Sequence, residues 1–363
     1  IADFFVRGSP MLRYINRSPC LFAARCRPSG ESPMKLSWSR AWQSAALVVA
    51  AFASLVSVHA RAATPAEIRV DYAYYSPESL VIRHFGWLED EFKADRTSIR
   101  WVLSLGSNRA LEYLNSGAVD FGSAAGLASV LARANGNPIH TVYVFSRPEW
   151  TALVVRKDSP IRSLTDLKGK KIAATRGTDP FLFTLRALHT VGLTRDDVEI
   201  VNLQHPDGRT ALANGQVDAW AGLDPHMAAA QLDDGARLLY RNVAFNTYGF
   251  LNVRDAFASQ YPQAVTRVLK VYDRARQWIV AHPADTAQIV ADESKVSLPV
   301  AKLQLQRNDF SDPVPGDTQR AALKAAAPVL TSEQLTKPGV DPAKIVDTLI
   351  DPSFARPLVD ASR

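Results

Sequence analysis

Leu114-Asn115-Ser116-Gly117-Ala118-Val119-Asp120-Phe121-Gly122 and, further along, Leu212-Ala213-Asn214-Gly215-Gln216-Val217-Asp218-Ala219-Trp220 are two copies of one cassette. In each copy a helical run (109–114, 209–212) stops at a glycine suited to the left-handed C-cap conformation, and a short β-prone stretch comes next. Each strand then feeds another helix, expected to begin near Gly122-Ser123-Ala124 and near Asp224-Pro225. Each copy would thus bring helix N-terminal N–H groups to the end of a strand. Two such ends facing each other form an anion clamp.

Outward from the cassettes, strand and helix patterns alternate. Strands are expected over 68–75, 99–103, 119–122 and 139–145, and helices over 79–92, 107–114 and 127–134. A new unit begins with a β-branched strand at 152–155 and continues with strands at 172–175 and 198–203 and a helix over 179–191. Further strands at 238–240 and 248–253 precede helices over 262–282, 286–294, 299–306 and 318–330. Repeated β-α units with short connections predict an α/β fold of two doubly wound, mostly parallel sheets. One sheet interrupts the other, so lobe 1 is expected to comprise 66–153 plus 250–363 and lobe 2 to comprise 154–249. The chain would cross near 153–156 and 249–253, and two crossing strands make a hinge. Ligands of such sheets sit at the carboxyl ends of strands.

The ends of the chain change the charge argument. Met34 opens a secretory signal (34–62): Lys35 and Arg40 are basic, 45–58 is apolar, and Ala60-Arg61-Ala62 is a cleavage site. Residues 1–33 read as a misassigned upstream extension. The apolar run is shorter than the roughly twenty residues a membrane span needs. The 363-residue chain holds 42 Lys+Arg against 36 Asp+Glu, a formal +6. Arg7, Arg13, Arg17, Arg25, Arg27, Lys35, Arg40 and Arg61 all precede residue 63, against Asp3 and Glu31. The remainder is therefore balanced and gives no sign of a nucleic-acid or membrane partner. Both cysteines, Cys20 and Cys26, also lie upstream, so the processed chain is expected to lack thiols, disulfides and Cys-ligated metal. Neither follows an apolar stretch as a lipid-anchored cysteine would. The expected product is a soluble, exported, periplasmic monomer without a cofactor.

No catalytic constellation emerges. Gly122-Ser123-Ala124-Ala125-Gly126 has the wrong order for a nucleophile elbow, and Gly169-Lys170-Lys171 lacks the rest of a P-loop. The histidines at 84, 140, 189, 205, 226 and 282 show no metal-ligand spacing and read as surface or packing residues. Anion binding is better supplied. Ser104-Leu105-Gly106-Ser107-Asn108, the Ser123-Ala124 turn and Thr175-Arg176-Gly177-Thr178-Asp179 each place small or hydroxyl residues where a strand enters a helix. Thr178 or Asp179 is suited to N-cap its helix, and Arg176 to make a bidentate anion contact or a cap. Tyr74, Tyr75, Trp150, Phe181, Phe183 and Trp220 flank these turns. Among them Tyr75, followed by Ser76, and Trp220 stand where strands are expected to end at the cleft.

The run Val154 to Ala173, with Ser159-Pro160-Ile161-Arg162-Ser163-Leu164-Thr165-Asp166-Leu167-Lys168-Gly169 at its centre, together with Arg176-Gly177-Thr178, both cassettes and Asp224-Pro225, resembles the aliphatic sulfonate-binding proteins. These belong to the nitrate/sulfonate/taurine group of periplasmic substrate-binding proteins. The resemblance covers the chain beyond the signal. It implies a two-lobed, type II periplasmic-binding-protein-like fold serving an inner-membrane ABC permease, with a small anionic solute, a sulfonate, as ligand. It maps oxyanion binding onto Gly106, Ser107, Ser123 and Ala124, with Arg176, Gly177 and Thr178 opposite. Tyr75, Ser76, Asn108, Trp220 and Asp224 complete the expected ligand-binding set. Leu223 stands where the group usually carries a second tryptophan, which bears on the ligand's tail. Alternatives keep the fold and bind taurine, nitrate, bicarbonate or an aromatic sulfonate, taurine needing a carboxylate such as Asp179 or Glu149 for its ammonium. A sensor subunit differs only in its partner, and an enzyme resembling pyrimidine synthases would need catalytic His or Cys.

Overall fold

The computed structural model describes residues 64–360; the expected signal, the upstream extension and both cysteines lie outside them. Among the described residues no helix is long and apolar enough to cross a membrane.

Among the described residues eleven strands form two sheets. In the first sheet β1 (Glu67–Tyr72) pairs in parallel with β2 (Ser98–Leu103) and β3 (Phe121–Ala125). β10 (Gly249–Arg254) runs antiparallel between β3 and β4 (Ile139–Pro148), and the two-residue β11 (Asn308–Asp309) closes the edge on β4. The order is β11-β4-β10-β3-β1-β2. In the second sheet β6 (Lys171–Ala173) pairs in parallel with β7 (Glu199–Val201) and β8 (Ala219–Leu223), while β5 (Thr151–Val155) runs antiparallel between β8 and β9 (Arg237–Tyr240). Its order, β7-β6-β8-β5-β9, repeats that of the first. The expectation of mostly parallel sheets is corrected to two mixed ones. Each has a parallel trio, and the strand that follows a crossing is inserted antiparallel beside it.

The helices that carry or support the site are α1 (Pro77–Phe85), α2 (Ser107–Ser116), α3 (Gly126–Ala134), α4 (Asp179–His189), α5 (His205–Ala213), α6 (His226–Leu232), α7 (Pro262–Ala281) and α8 (Leu298–Gln306). Gly117 and Gly215 take the left-handed conformation after α2 and α5, at φ of 72° and 71°, as the cassette reading requires. The segment after the first of these glycines differs from expectation. Gly122, Ser123 and Ala124 lie inside β3, and the next helix starts at Gly126. The run expected as one helix over 318–330 is broken into Asp317–Ala326 and Pro328–Ser332, at a proline that has no N–H to give the preceding turn.

The chain passes between the two sheets twice. All of β5 belongs to the second sheet and all of β10 to the first, so the chain crosses at 149–150 and again between Tyr240 and Gly249. Arg241 grips Glu149 through two hydrogen bonds of 2.8 and 2.7 Å, and Thr151 N donates to Asn246 Oδ1 at 2.9 Å, tying the two crossing segments together. The carboxy-terminal region is also shared. Val300 of α8 packs on Ala228 and Ala229 of α6, while Leu298 and Leu305 pack against the main core and Gln304 Nε2 donates to Tyr74 O at 2.7 Å, so this helix touches both halves. The main core surrounds the first sheet, with Ile68, Phe121, Phe145, Phe250 and Tyr272 fully buried, and continues between the second sheet and α4 through Leu153, Ile172 and Phe183. A smaller one lies between the second sheet and α5, around Trp220, Leu212 and Met227.

Candidate functional site

The carboxyl ends of the two sheets meet along two lines. At the crossings, Tyr75 donates its hydroxyl to Ser123 O at 2.8 Å and stands edge-on to Trp150, ring centres 5.7 Å apart. Trp150 Nε1 donates to Asp179 Oδ2 at 3.0 Å; Thr247 gives that carboxylate its amide and hydroxyl, at 2.9 and 2.7 Å. Thr247 Oγ1 in turn accepts Leu127 N at 3.1 Å. Asp179 is buried, which pushes its pKa up, while Trp150 and Thr247 hold it down. It is therefore consumed as a strut and is not free to hold an ammonium. Glu149, the other carboxylate considered for that task, is held by Arg241.

The second line holds the candidate site. Gly106, at the N-cap position of α2, faces His205, the first residue of α5. A carbon placed on Gly106 would lie 3.1 Å from His205 Nε2 and 2.9 Å from Asn108 Oδ1. Beside it, a carbon on Gly177 would lie 3.6 Å from Asn108 Cβ. The N-termini of α2, α4 and α5 all carry no side-chain cap hydrogen bond. Thr178 occupies the N-cap of α4 but turns its hydroxyl back to Thr175 O at 2.6 Å, so the capping role expected of it is not fulfilled. Three helix N-termini, one from the first sheet and two from the second, are left with amide donors at this junction. Helices of this length present partial positive charge there, each end favouring an anion by about 0.3 to 2 kcal/mol.

The uncapped ends are not the ones the cassettes were expected to supply. The helices that follow the cassettes have their first-turn amides taken internally. Gly126 N donates to Tyr248 O at 2.9 Å, Leu127 N to Thr247, and Ala228 N to Asp224 Oδ1 at 2.8 Å. The helices that open or precede the cassettes, α2 and α5, are the ones with free ends. Ser123 N, assigned to an oxyanion, donates to Asp71 Oδ1 at 2.8 Å, and Ala124 pairs with Phe250 inside the sheet. Ser107 uses its hydroxyl to accept Ala125 N at 2.9 Å.

The remaining expected residues divide. Ser76 is buried at the start of α1 with an unpartnered hydroxyl. Arg176 is exposed, its amide donating to Asn202 Oδ1 at 2.9 Å, and with Gly177, Asn108, Leu111 and Ala128 it lines a cavity of about 420 Å³ between α2, α3 and the 176–177 turn. Trp220 is corrected from cleft wall to core: 1% exposed, it packs under α5 against Gly208. Asp224 is also buried, 3.0 Å from Arg307, and burial pushes its pKa up to about 6 against the pull of that guanidinium. Leu223 ends β8 opposite Thr151 and is buried.

Sequence reading passed over His205 and Gln204. His205 is fully buried with Nε2 unpartnered, as is Gln204 Oε1. Burial, helped by nearby His226, pushes His205 down to about 3, so the ring is neutral. The only local signal was a histidine beside Pro206 at a helix start, which packing histidines share.

A family model described as NMT1/THI5 like matches residues 99–286, just over half of the chain. A protein of Escherichia coli (strain K12) named as an aliphatic sulfonates-binding protein is 28% identical over 284 residues, covering 77% of this chain and 88% of that one. A protein of the same name from Bacillus subtilis (strain 168) is 27% identical over 229 residues, covering 62% and 69%. The solved structure of the alkanesulfonate-binding protein SsuA from Xanthomonas axonopodis pv. citri bound to MOPS superposes with a TM-score of 0.73 at 28% identity, over 80% of this chain and 99% of that one. By sequence and by fold, the chain belongs to the NMT1/THI5-like family.

Proposed function

We propose that the protein is the periplasmic solute-binding component of an ABC importer and that it holds a small aliphatic sulfonate between its two sheets without transforming it. The observation that carries the reading is the junction of three uncapped helix N-termini drawn from both sheets, in a chain whose relatives are named for sulfonate binding. A sulfonate keeps its charge at any physiological pH and offers three acceptor oxygens, so fixed amide donors suit it better than a titrating base. Donors contributed by both sheets act together only when the sheets are close, which gives the differential affinity that a closing motion requires. The bodies we propose to move are the two sheets with the helices packed on them, the sequence division into 66–153 plus 250–363 and 154–249 being adjusted so that Thr151–Val155 moves with the second sheet. The protein works as a monomer that presents its closed form to the permease.

Calorimetry of the purified protein against short alkanesulfonates, taurine, nitrate, sulfate and bicarbonate tests this. Saturable binding of an alkanesulfonate, tighter than that of the inorganic anions, is the expected result, and no heat with any sulfonate would sink the reading. Arg176 stands at the mouth of the cavity beside Asn108. Replacing it with alanine is expected to weaken sulfonate binding by about 1 kcal/mol, a charge-assisted contact being worth at least that; unchanged affinity would return Arg176 to the surface.

A further inference from the structure

The point between Gly106, Asn108 and His205 has a chemistry that amide donors do not explain. Asn108 Oδ1 and His205 Nε2 both lie within about 3 Å of the position a side-chain carbon of Gly106 would take, and neither has a hydrogen-bond partner. Gln204 Oε1, one residue before His205, is buried and unpartnered as well. The tautomer of His205 is set by its other nitrogen. Thr175 donates its hydroxyl to Leu203 O at 2.6 Å, so toward His205 Nδ1, 3.4 Å away, its oxygen can only accept. Nδ1 therefore carries the proton and Nε2 presents a lone pair. Acceptors from both sheets thus converge where any side chain at 106 would collide with them. Buried acceptors left without donors are costly, so the site is built for a group that brings one.

Resting on the sulfonate reading, we infer that the ligand is a hydroxylated short-chain sulfonate, whose neutral O–H is received by His205 Nε2 and Asn108 Oδ1. Both side chains stand on the first turns of helices whose free ends face the anion, so the hydroxyl is separated from the sulfonate by a short carbon chain. A charged ammonium fits less well. Asp179 is saturated by Trp150 and Thr247, Asp224 by Arg307 and Ala228, and Glu112 pairs with Arg109 at 2.7 Å. An ammonium at this point would face neutral acceptors, and the two fully buried carboxyls that keep an unpartnered oxygen, Asp71 and Glu78, are groups whose pKa burial pushes up, toward the neutral acid. A plain alkyl chain would leave the acceptors unpaired, the situation in which a polar site discriminates most strongly.

Three probes of matched length test this by calorimetry on the wild-type protein: ethanesulfonate, 2-hydroxyethanesulfonate and 2-aminoethanesulfonate. The hydroxy compound is expected to bind about tenfold or more tighter than ethanesulfonate, and tighter than the amino compound. In His205→Leu the hydroxy-to-alkyl preference should fall toward one, and in His205→Gln, which restores an acceptor, it should return in part. Equal affinity for the hydroxy and alkyl probes, a wild-type preference for the amine, or an unaltered ratio in a folded His205→Leu each overturn the inference while leaving sulfonate binding intact. If none of the three binds, the sulfonate reading fails and takes this inference with it. The wild-type series stands even if the variants do not fold.

Discussion

Asp120 and Asp218 occupy the same place in the two sheets. Each gives its amide to a neighbouring parallel strand, Asp120 N to Arg69 O at 2.7 Å and Asp218 N to Lys171 O at 2.9 Å. Each carboxylate accepts the amide of that same residue, at 2.9 and 2.8 Å. The repeated aspartate is thus a register clamp at the strand entrance, away from the ligand end. The copies differ in surroundings: Asp120 is 1% exposed and also binds the guanidinium groups of Arg69 and Arg254, whereas Asp218 is half-buried and has only the amide. Asp120→Ala should therefore cost about 3–5 kcal/mol, two partly buried cations losing their partner, and Asp218→Ala about 1 kcal/mol; urea denaturation of the two variants distinguishes these values.

Asp71 makes a second claim at this scale. Its Oδ1 accepts Ser123 N, Oδ2 has no partner, and burial pushes its pKa up to about 7. In the unfolded chain the same carboxyl titrates near 4, so between these values the folded protein holds a proton that the unfolded one has released. The stability it contributes is whole below about pH 4 and is lost as pH rises through 7. Asp71→Asn, an isostere of the protonated acid, should remove much of this fall and leave the variant roughly 2–4 kcal/mol more stable than wild type at pH 8. Chemical denaturation at pH 5 and pH 8 gives the comparison, and a wild type that gains stability from pH 5 to 8 would contradict it.

At the scale of elements, the fit of α5 on the second sheet depends on one missing side chain. A carbon on Gly208 would lie 2.5 Å from Trp220 Nε1, a distance no packed core accepts. Gly208→Ala should force α5 off β8 and cost about 1–3 kcal/mol, read as a lowered Tm. Because α5 also carries His205 to the junction, the same change should weaken ligand binding, which a purely local repacking would not do. Most elements were legible in the sequence because their periodicity is strong: β2, α2, α4 and α7 fall within a few residues of expectation. The periodicity puts α3 at 127–134, within one residue of its start, but the cassette reading puts a helix start near Gly122 to Ala124, inside β3. Gly122 to Ala125 are small residues without a period of their own, and only pairing with β10 commits them to a strand.

At the scale of the molecule, the two sheets are joined by more than the expected pair of strands. Arg307, 8% exposed by its side chain, reaches from the end of α8 to Asp224 at the end of β8, with a further contact to Gln231. His189 of α4 meets Glu333 at 2.7 Å, a second link from the carboxy-terminal helices to the second sheet. Arg307→Ala leaves Asp224 buried and uncompensated and should cost about 3–5 kcal/mol. Since the lost contact ties α8 to the second sheet, the variant should also show faster amide exchange in 298–306 by mass spectrometry, with α2 unaffected.

The sequence by itself determined the α/β class, the interrupted order of two sheets, the left-handed glycines and the turns at 104–108 and 175–179, because these arise from local periodicity and backbone sterics. It also carried the family resemblance. That the end of α3 is occupied was decided only by the tertiary structure, since Tyr248 and Thr247 reach its amides from a distant part of the chain, whereas α6 is closed locally by Asp224, four residues before Ala228. The same holds for Trp220, drawn into the core by the gap at Gly208, and for His205, which is an ordinary histidine until Gly106 is folded against it. A residue's partners are set by long-range packing, and capping and pairing are contests for partners that a linear chain does not display.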